Sequence, residues 1–120
     1  MRDLLKVIKS LSDETRLRIL NLLLERECCV CEVMQALGIS ETRASRNLRL
    51  LYDAGLLKLR KEGLWSLYSL NQDEAPAYFA ELVKAVKKAL AGNQKASQDR
   101  EHLKTAERIG PACVQKRLGG

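Results

Sequence analysis

Apolar residues recur at intervals of three and four along the first half of the chain, the spacing of helices with one buried face. The first two runs consist of Leu4, Leu5, Ile8 and Leu11 and of Leu17, Leu20, Leu23 and Leu24. Ser12 is the predicted cap of the second helix, because its hydroxyl can accept from backbone N–H groups of the first turn. The pattern then predicts a short helix from Val30 to Leu37 that ends at Gly38. A fourth helix is predicted from its cap, Ser40, to about Ala54.

The period changes from helical to alternating after this fourth helix. Leu57 and Leu59 share one phase of an alternating run, and the stretch 65–70 is rich in strand-favouring residues. Glu62-Gly63 is a turn signal, so the two runs predict a β-hairpin. Asp73 and Glu74 are expected to open a last long helix, whose apolar positions are Phe79, Leu82, Val83, Val86 and Leu90. The predicted fold class is therefore mainly α with one β-hairpin.

The chain divides into a patterned part and a polar tail. Residues 1–92 are predicted to form one domain, and residues 93–120 a polar extension with few large apolar residues. The extension is expected to be either mobile or laid on another surface, with a short polar helix from Ser97 to Arg108. The one histidine, His102, is expected to be exposed to solvent there.

Composition narrows the class of protein. The formal net charge of +6 over 120 residues favours a polyanionic partner. The few aromatic residues argue against a single-strand binder, which stacks bases on aromatic side chains. No apolar run is long enough to span a bilayer, and charges interrupt the N-terminal stretch, so we expect neither a membrane segment nor a signal peptide. In the expected cytoplasmic location the four cysteines would be thiols that bind metal or sense redox state.

A short helix, a tight turn and a helix with a cationic outer face are typical of a helix-turn-helix. The second of these helices is expected to lie in the major groove of double-stranded DNA. The candidate DNA-binding residues are Thr42, Arg43, Ser45, Arg46 and Arg49 on that helix, with Arg60 and Lys61 on the hairpin. An ordinary solvated helix face also often carries three arginines, but a basic hairpin directly after a helix-turn-helix favours a winged helix.

Three segments resemble the ArsR-type metal-responsive repressors. The stretch 13–20 (DETRLRIL) is similar to their second helix, 40–51 (SETRASRNLRLL) to their recognition helix and 60–70 (RKEGLWSLYSL) to their wing. Asn47 stands where the family often has His, and Leu64 where the wing often has Arg. The resemblance covers about residues 1–90 and implies a homodimeric winged-helix repressor that binds an operator, and not an enzyme. It also implies a dimer interface, although the same stripes could equally form core: Leu4, Leu5, Ile8, Leu11, Phe79, Leu82, Val86 and Leu90.

Cys28, Cys29 and Cys31 are the strongest candidate for chemistry, because three thiols in four residues are an unusual way to fill a core. On an intact helix Cys29 and Cys31 would point about 200° apart and could not hold one atom. Either the helix begins only after Cys29, or binding pulls this turn out of helical geometry. A helix start is also expected to lower the thiol pKa values.

The stretch 27–33 (ECCVCEV) resembles the motif of the arsenite-sensing members, which implies Cys29 and Cys31 as thiolate ligands. Met34 occupies the position of the usual third cysteine, so Cys28 or Cys113 would complete the site. Cys28 is favoured, because using Cys113 requires ordering a polar tail. Arsenite or antimonite is the implied inducer, and cadmium, lead or an oxidant remain open. No histidine lies in the last long helix, so the His-and-carboxylate zinc site of other members is not expected.

Two other functions fit parts of the pattern. A repressor of the same fold could respond to thiol oxidation or to persulfides through the same cysteines. A small thiol enzyme fits less well, because no strand is predicted before Cys28-x-x-Cys31 and the motif leads into a helix.

Overall fold

The computed structural model describes residues 1–109, and Cys113 lies outside the described residues. The helices are α1 (Arg2–Leu11), α2 (Glu14–Glu25), α3 (Val30–Leu37), α4 (Glu41–Asp53), α5 (Ala77–Leu90) and α6 (Gln94–Lys104). The strands are β1 (Cys28–Cys29), β2 (Leu57–Glu62) and β3 (Trp65–Leu70). None of the helices found in residues 1–109 has the length and apolar character needed to cross a membrane.

The ends of the helices follow from local hydrogen bonds. Gly38, at φ 68°, ends α3 in the left-handed conformation, and Ser40 caps α4 by accepting from the Arg43 amide at 3.2 Å, as predicted. The prediction of Ser12 as the cap of α2 is wrong. The Asp13 carboxylate accepts from the Arg16 amide at 3.0 Å, whereas the Ser12 hydroxyl donates back to the Lys9 carbonyl.

Helix α5 begins at Ala77 and not at the predicted Asp73. Pro76 precedes the helix, and a proline disfavours helical geometry in the residue before it. The residues between β3 and α5 form a turn in which the Asn71 side chain accepts from the Glu74 amide at 3.1 Å. The two acidic residues thus lie in this connection.

The hairpin of β2 and β3 confirms the predicted wing, with Glu62 opposite Trp65 and the turn at Gly63. The sheet has a third strand, because β1 pairs antiparallel with β3 and places Cys28 opposite Tyr68 and Cys29 opposite Leu67. The sequence did not indicate β1, since two residues are too short to show a period. This pairing fixes the first two cysteines to the base of the wing.

The core lies between α2, α3, α4 and the sheet. Its fully buried side chains include Ile19, Leu20, Leu22, Val33, Leu48, Leu51 and Leu56. Phe79 is only 2 % exposed and belongs to this core. On α1, by contrast, Leu4, Leu5 and Ile8 are exposed at 38 %, 47 % and 48 %.

Helix α6 packs against α2 and α3, beyond the domain boundary predicted after residue 92. It covers Gln94–Lys104, a few residues before the predicted helical stretch, and it buries Ala96 and Leu103. The buried Asp99 carboxylate accepts from the Arg18 guanidinium at 2.7 Å. His102 is exposed, as expected, and its Nδ1 lies 3.2 Å from the Ala36 carbonyl oxygen of α3. The packing of α6 could not be predicted from apolar spacing, because hydrogen-bonded polar side chains such as Asp99 make part of its contact with α2.

Candidate nucleic-acid interface and cysteine cluster

Helix α4 presents a cationic face outward while its apolar stripe is fully buried. Thr42, Arg43, Arg46 and Arg49 are exposed and Ser45 is half-buried, whereas Ala44, Leu48 and Leu51 lie at 0 % exposure. With α3, Gly38 and Ile39 before it, α4 takes the place of the second helix of a helix-turn-helix. The structure therefore brings the predicted α4 residues to one accessible face.

The three arginines of this face differ in the intramolecular contacts that their guanidinium groups make. The Arg43 guanidinium donates to the Thr15 hydroxyl at 2.9 Å. Arg49 donates to Asp53 at 3.1 Å and lies 5.9 Å from the centre of the Tyr52 ring. Arg46 makes no such contact within residues 1–109. Arg46 is thus the arginine whose donors are available to DNA without breaking an internal contact.

The wing carries the remaining predicted DNA contacts. Lys61 is exposed, whereas the Arg60 guanidinium donates to Glu27 at 3.0 Å and lies 2.9 Å from Glu62. The hydrogen bond from Arg60 lowers the pKa of the Glu27 carboxyl below its usual range, and both groups are charged at neutral pH. Glu27 immediately precedes the cysteines, so this pair joins their segment to the wing.

The three clustered cysteines do not share one surface. Helix α3 begins at Val30, directly after Cys29, which is the first of the two arrangements considered for Cys29 and Cys31. Cys28 and Cys29 are successive residues of β1, so their side chains point to opposite faces of the sheet. Cys28 is packed in the main core, whereas Cys29 and Cys31 pack together with Leu67 in a second, smaller cluster.

We call this second group the cysteine cluster: Cys29, Cys31 and Leu67, with Trp65 and Ile109 packed against them. Cys29 and Cys31 are 3 % and 5 % exposed. Trp65 is the one tryptophan of the chain, and its buried indole N–H has no hydrogen-bond partner within residues 1–109. Among residues 1–109, no three His, Cys, Asp or Glu side chains form a group that could hold a metal ion.

Glu32 is the charged residue at the floor of this region, with a side chain only 3 % exposed. Its carboxylate accepts from the Cys29 amide at 3.0 Å and forms ion pairs with Arg26 at 2.5 Å and Arg108 at 3.2 Å. Burial acts to raise the pKa of Glu32, but the bond from the Cys29 amide and the two arginines outweigh it and lower the pKa. The carboxylate is therefore ionised at neutral pH.

The predicted lowering of the thiol pKa values at the helix start is wrong for Cys28 and Cys29. Burial raises the pKa of Cys28 to about 12, and the charge of Glu32 adds to the effect. Burial also raises the pKa of Cys29. Both thiols are buried and lie near the Glu32 carboxylate. Burial and this negative charge together outweigh the field of the helix end, which would favour the thiolate.

Residues after α6 return to the cysteine cluster through contacts that the sequence did not indicate. Arg108 reaches Glu32, and Ile109 packs against the apolar side of the cluster. The Gln35 side chain both donates to the Glu107 carbonyl at 2.7 Å and accepts from the Glu107 amide at 3.1 Å. A polar stretch with one isolated isoleucine carries no pattern that would predict these contacts.

Comparison with known proteins agrees with this architecture. Residues 13–59 match the model described as bacterial regulatory protein, arsR family. The chain is 44 % identical over 80 residues to the arsenical resistance operon repressor of Escherichia coli, covering 66 % of this chain and 68 % of that protein. It is 47 % identical over 72 residues to a cadmium resistance transcriptional regulatory protein, CadC homolog, of Staphylococcus aureus, covering 59 % and 60 % of the two chains.

A solved structure gives the same picture of the fold. The homodimeric winged helix-turn-helix DNA-binding domain of a possible ArsR-family regulator from Mycobacterium bovis superposes with a TM-score of 0.63 at 31 % identity. The superposition covers 78 % of this chain and 82 % of that one.

Proposed function

The chain belongs to the arsR family of bacterial regulatory proteins and is a winged helix-turn-helix transcriptional regulator, and we propose that it represses an operator until arsenite or antimonite binds its cysteine thiolates. The observation that carries the proposal is the packing of Cys29 and Cys31 in one cluster at the start of α3, the first helix of the helix-turn-helix. Two relatives are named for arsenical and cadmium resistance, which supports a thiophilic inducer. We place this repressor in the cytoplasm, where reducing conditions keep thiols available.

In this proposal the protein binds double-stranded DNA as a homodimer. Each protomer places the outer face of α4 in a major groove, and Lys61 of the wing contacts the flanking backbone. The exposed leucines and isoleucine of α1 offer apolar surface for the dimer, and Leu82, Val86 and Leu90 of α5 are only partly buried within the protomer. The homodimeric relative from Mycobacterium bovis supports this assembly.

We propose Cys29, Cys31 and Cys113 as the ligands, in place of the earlier preference for Cys28. Cys28 is packed in the main core, on the opposite face of β1 from Cys29. Ile109 lies against the cysteine cluster, and Cys113 follows it by only four residues. An extended chain of that length spans at most about 14 Å, so Cys113 stays within reach of the cluster.

Cys31 is disulfide-bonded in the structure, so a cellular thiol must first reduce it. From the reduced thiols, ligation needs no further redox step. Arsenite exchanges a hydroxyl group for a cysteine sulfur, and the thiol proton leaves with that hydroxyl as one water per As–S bond. Soft thiolates favour such a thiophilic centre over hard cations. Ligation at the start of α3 would bias the dimer toward a conformation that cannot span both half-sites. A coupling of about 1–3 kcal/mol lowers operator affinity roughly 5- to 150-fold.

The test is release of a fluorescent operator duplex, followed by anisotropy during titration with arsenite. Cys29→Ser and Cys31→Ser should bind the duplex normally and fail to release it, since a serine hydroxyl is a hard, weak ligand. Serine is also a favoured helix cap, so Cys29→Ser preserves the start of α3. Cys113→Ser should weaken the response, and Cys28→Ser serves as the matched control that keeps it.

Parallel titrations with antimonite, cadmium, zinc and peroxide identify the inducer. Release by peroxide that a reductant reverses, with no response to arsenite, would select the redox-responsive repressor instead. A full response to arsenite in the Cys29→Ser and Cys31→Ser variants would contradict the proposed site.

A further inference from the structure

The guanidinium group of Arg16 joins the end of α1 to α4. Its Nε donates to the Ser10 carbonyl at 2.6 Å and its Nη2 to the Lys9 carbonyl at 3.3 Å, both in the last turn of α1. Its Nη1 donates to the side-chain oxygen of Asn47 on α4 at 3.0 Å. The last carbonyls of a helix have no partner within that helix. One side chain, only 16 % exposed, therefore satisfies the end of α1 and reaches across to α4.

Asn47 holds the α4 side of this link in a defined orientation. Its side-chain nitrogen donates to the Arg43 carbonyl, one turn earlier on α4, at 2.9 Å, while its oxygen accepts from Arg16. Asn47 is half-buried, whereas the preceding Arg46 is exposed on the outer face of α4. Both hydrogen bonds of Asn47 are thus made inside the protomer, on the side of α4 that meets α1 and α2.

Helix α1 rests on its own protomer through few buried residues, which are Val7 and Ser10. Its exposed leucines and isoleucine lie on the surface offered above for the dimer. A helix with so little buried apolar contact is held weakly, so polar contacts matter more for its angle to the neighbouring helices. Arg16 and Asn47 provide such a contact between the proposed dimer helix and the reading helix.

We propose that Arg16 and Asn47 are positioning residues for DNA binding, which fix α4 relative to α1 and so set the separation of the two reading helices in the dimer. The inference rests on the part of the proposed function in which α1 contributes to the dimer, and it does not involve the cysteines. A symmetric dimer binds both half-sites only if its two α4 helices reach their major grooves together. Fixing this geometry before binding reduces the cost of association.

The experiment uses two operator duplexes that differ only in the spacing of their half-sites. The native duplex is the one that the wild-type protein selects from random-sequence DNA, and the longer duplex has one additional base pair at its centre. This base pair rotates one half-site by about 35° relative to the other. Anisotropy titrations give both affinities, and we call their ratio the spacing discrimination. The wild-type protein should bind the native duplex more tightly.

Asn47→Ala should bind the native duplex about tenfold more weakly than the wild-type protein, because each protomer loses the hydrogen bond between α1 and α4. Its affinity for the longer duplex should fall less than about threefold, because a less fixed α4 adapts better to displaced half-sites. Spacing discrimination should therefore decrease at least about threefold. The helix content should be unchanged in circular dichroism, since alanine is the most favourable residue in a helix.

Two further variants separate the link from other effects. Asn47→Asp keeps an oxygen that accepts from Arg16, so it should retain the wild-type spacing discrimination, although its negative charge weakens binding to both duplexes. Gln98→Ala is the matched control, because it removes an exposed carboxamide on α6 that makes no such contact within residues 1–109. It should bind both duplexes like the wild-type protein.

Unchanged spacing discrimination in Asn47→Ala would overturn the positioning role. That result is expected if Asn47 contacts DNA directly or only stabilises the fold, because both affinities would then fall by the same factor. A wild-type protein that binds the two duplexes equally would also overturn it, since no separation would then be set. Arsenite release from the native duplex is measured separately, so failure of the proposed inducer leaves these outcomes unaffected.

Discussion

Glu32 is the residue through which several segments around the cysteines are joined. Its carboxylate caps the start of α3 through the Cys29 amide and pairs with Arg26 from one side and Arg108 from the other. A buried carboxylate needs such partners, because an unpaired charge in the interior is costly. The residue therefore connects the α2–β1 connection and α3 to Arg108, in the stretch that follows α6.

The pKa of Glu32 predicts a loss of stability in acid. Its pKa is lower in the folded chain than the ordinary value of 4.5, so its stabilising contribution is present above that pH. The contribution is lost as the pH falls through the lowered folded pKa. The free energy of unfolding, measured by chemical denaturation between neutral pH and about pH 3, should fall less with decreasing pH in Glu32→Gln than in the wild-type protein. This variant should also be about 1–2 kcal/mol less stable at neutral pH, since both arginines are partly solvated. Equal acid slopes in the two proteins would contradict this role.

The raised pKa of Cys29 predicts how arsenite binding depends on pH. The thiolate is the attacking species, so the association rate should rise about tenfold per pH unit from about pH 6 to 8. The equilibrium constant should stay nearly flat, because the thiol proton leaves as water and none is released. Cadmium affinity should instead rise with pH, since binding a divalent cation releases thiol protons. Stopped-flow and equilibrium fluorescence of Trp65 measure both quantities, and an association rate that is independent of pH would refute the prediction.

At the scale of elements, the exposed arginines of α4 lead to a prediction for DNA binding. Arg46→Ala should cost about 1–3 kcal/mol of operator affinity if it contacts a base, because its guanidinium is exposed and has no partner among residues 1–109 to lose. Circular dichroism should be unchanged, since Arg46 lies outside the buried stripe. Electrophoretic or anisotropy titrations provide the affinity. Normal operator binding by the Arg43, Arg46 and Arg49 triple alanine variant would contradict the assignment of α4 as the reading helix.

Helix α6 determines how the tail can be truncated. Removal of residues 93–120 should lower the melting temperature markedly, because it exposes the surface under Leu103 and leaves Arg18 without Asp99. Removal of residues 110–120 keeps α6, so it should lower the melting temperature less and still weaken the arsenite response. Thermal unfolding followed by circular dichroism separates the two cases. Equal melting temperatures for both truncations would show that α6 contributes little to stability.

The helices and the wing could be predicted from the sequence because their apolar periods are long and their ends are marked, as at Gly38 and Ser40. The cap at Asp13 was missed since Ser12 and Asp13 are both good caps, and only tertiary contacts choose between them. Strand β1 is too short to have a period. The packing of α6 was hidden because hydrogen-bonded polar groups such as Asp99 make much of it.

The arrangement of the cysteines could also be predicted only in part from the sequence. Spacing alone identified Cys28, Cys29 and Cys31 as unusual, but it left open whether Cys28 or Cys113 joins Cys29 and Cys31. The pairing of β1 with β3 separates Cys28 from the other two, and that pairing depends on residues about forty positions away. The contacts of Glu107 and Arg108 are likewise polar and join residues far apart in sequence, so no hydrophobic period could predict them.

At the scale of the whole molecule, the pair of Glu27 and Arg60 links the cysteine segment to the wing. Glu27→Gln should free the Arg60 guanidinium from one of its two carboxylates and make it more available to phosphate. Operator affinity should increase at low salt, and the slope of log affinity against log salt should steepen by up to about one. Glu25→Gln is the matched control, since it removes the same charge from an exposed residue at the end of α2. Equal salt slopes for the two variants would exclude this effect.

Arsenite titration of the operator-bound dimer tests the central claim most directly. The claim is that cysteine ligation near α3 controls DNA binding by α4. Wild-type protein should release the duplex with rising arsenite, whereas a variant with serine at Cys28, Cys29, Cys31 and Cys113 should bind the same duplex and hold it throughout. Release of the operator by arsenite from that four-serine variant would contradict the account.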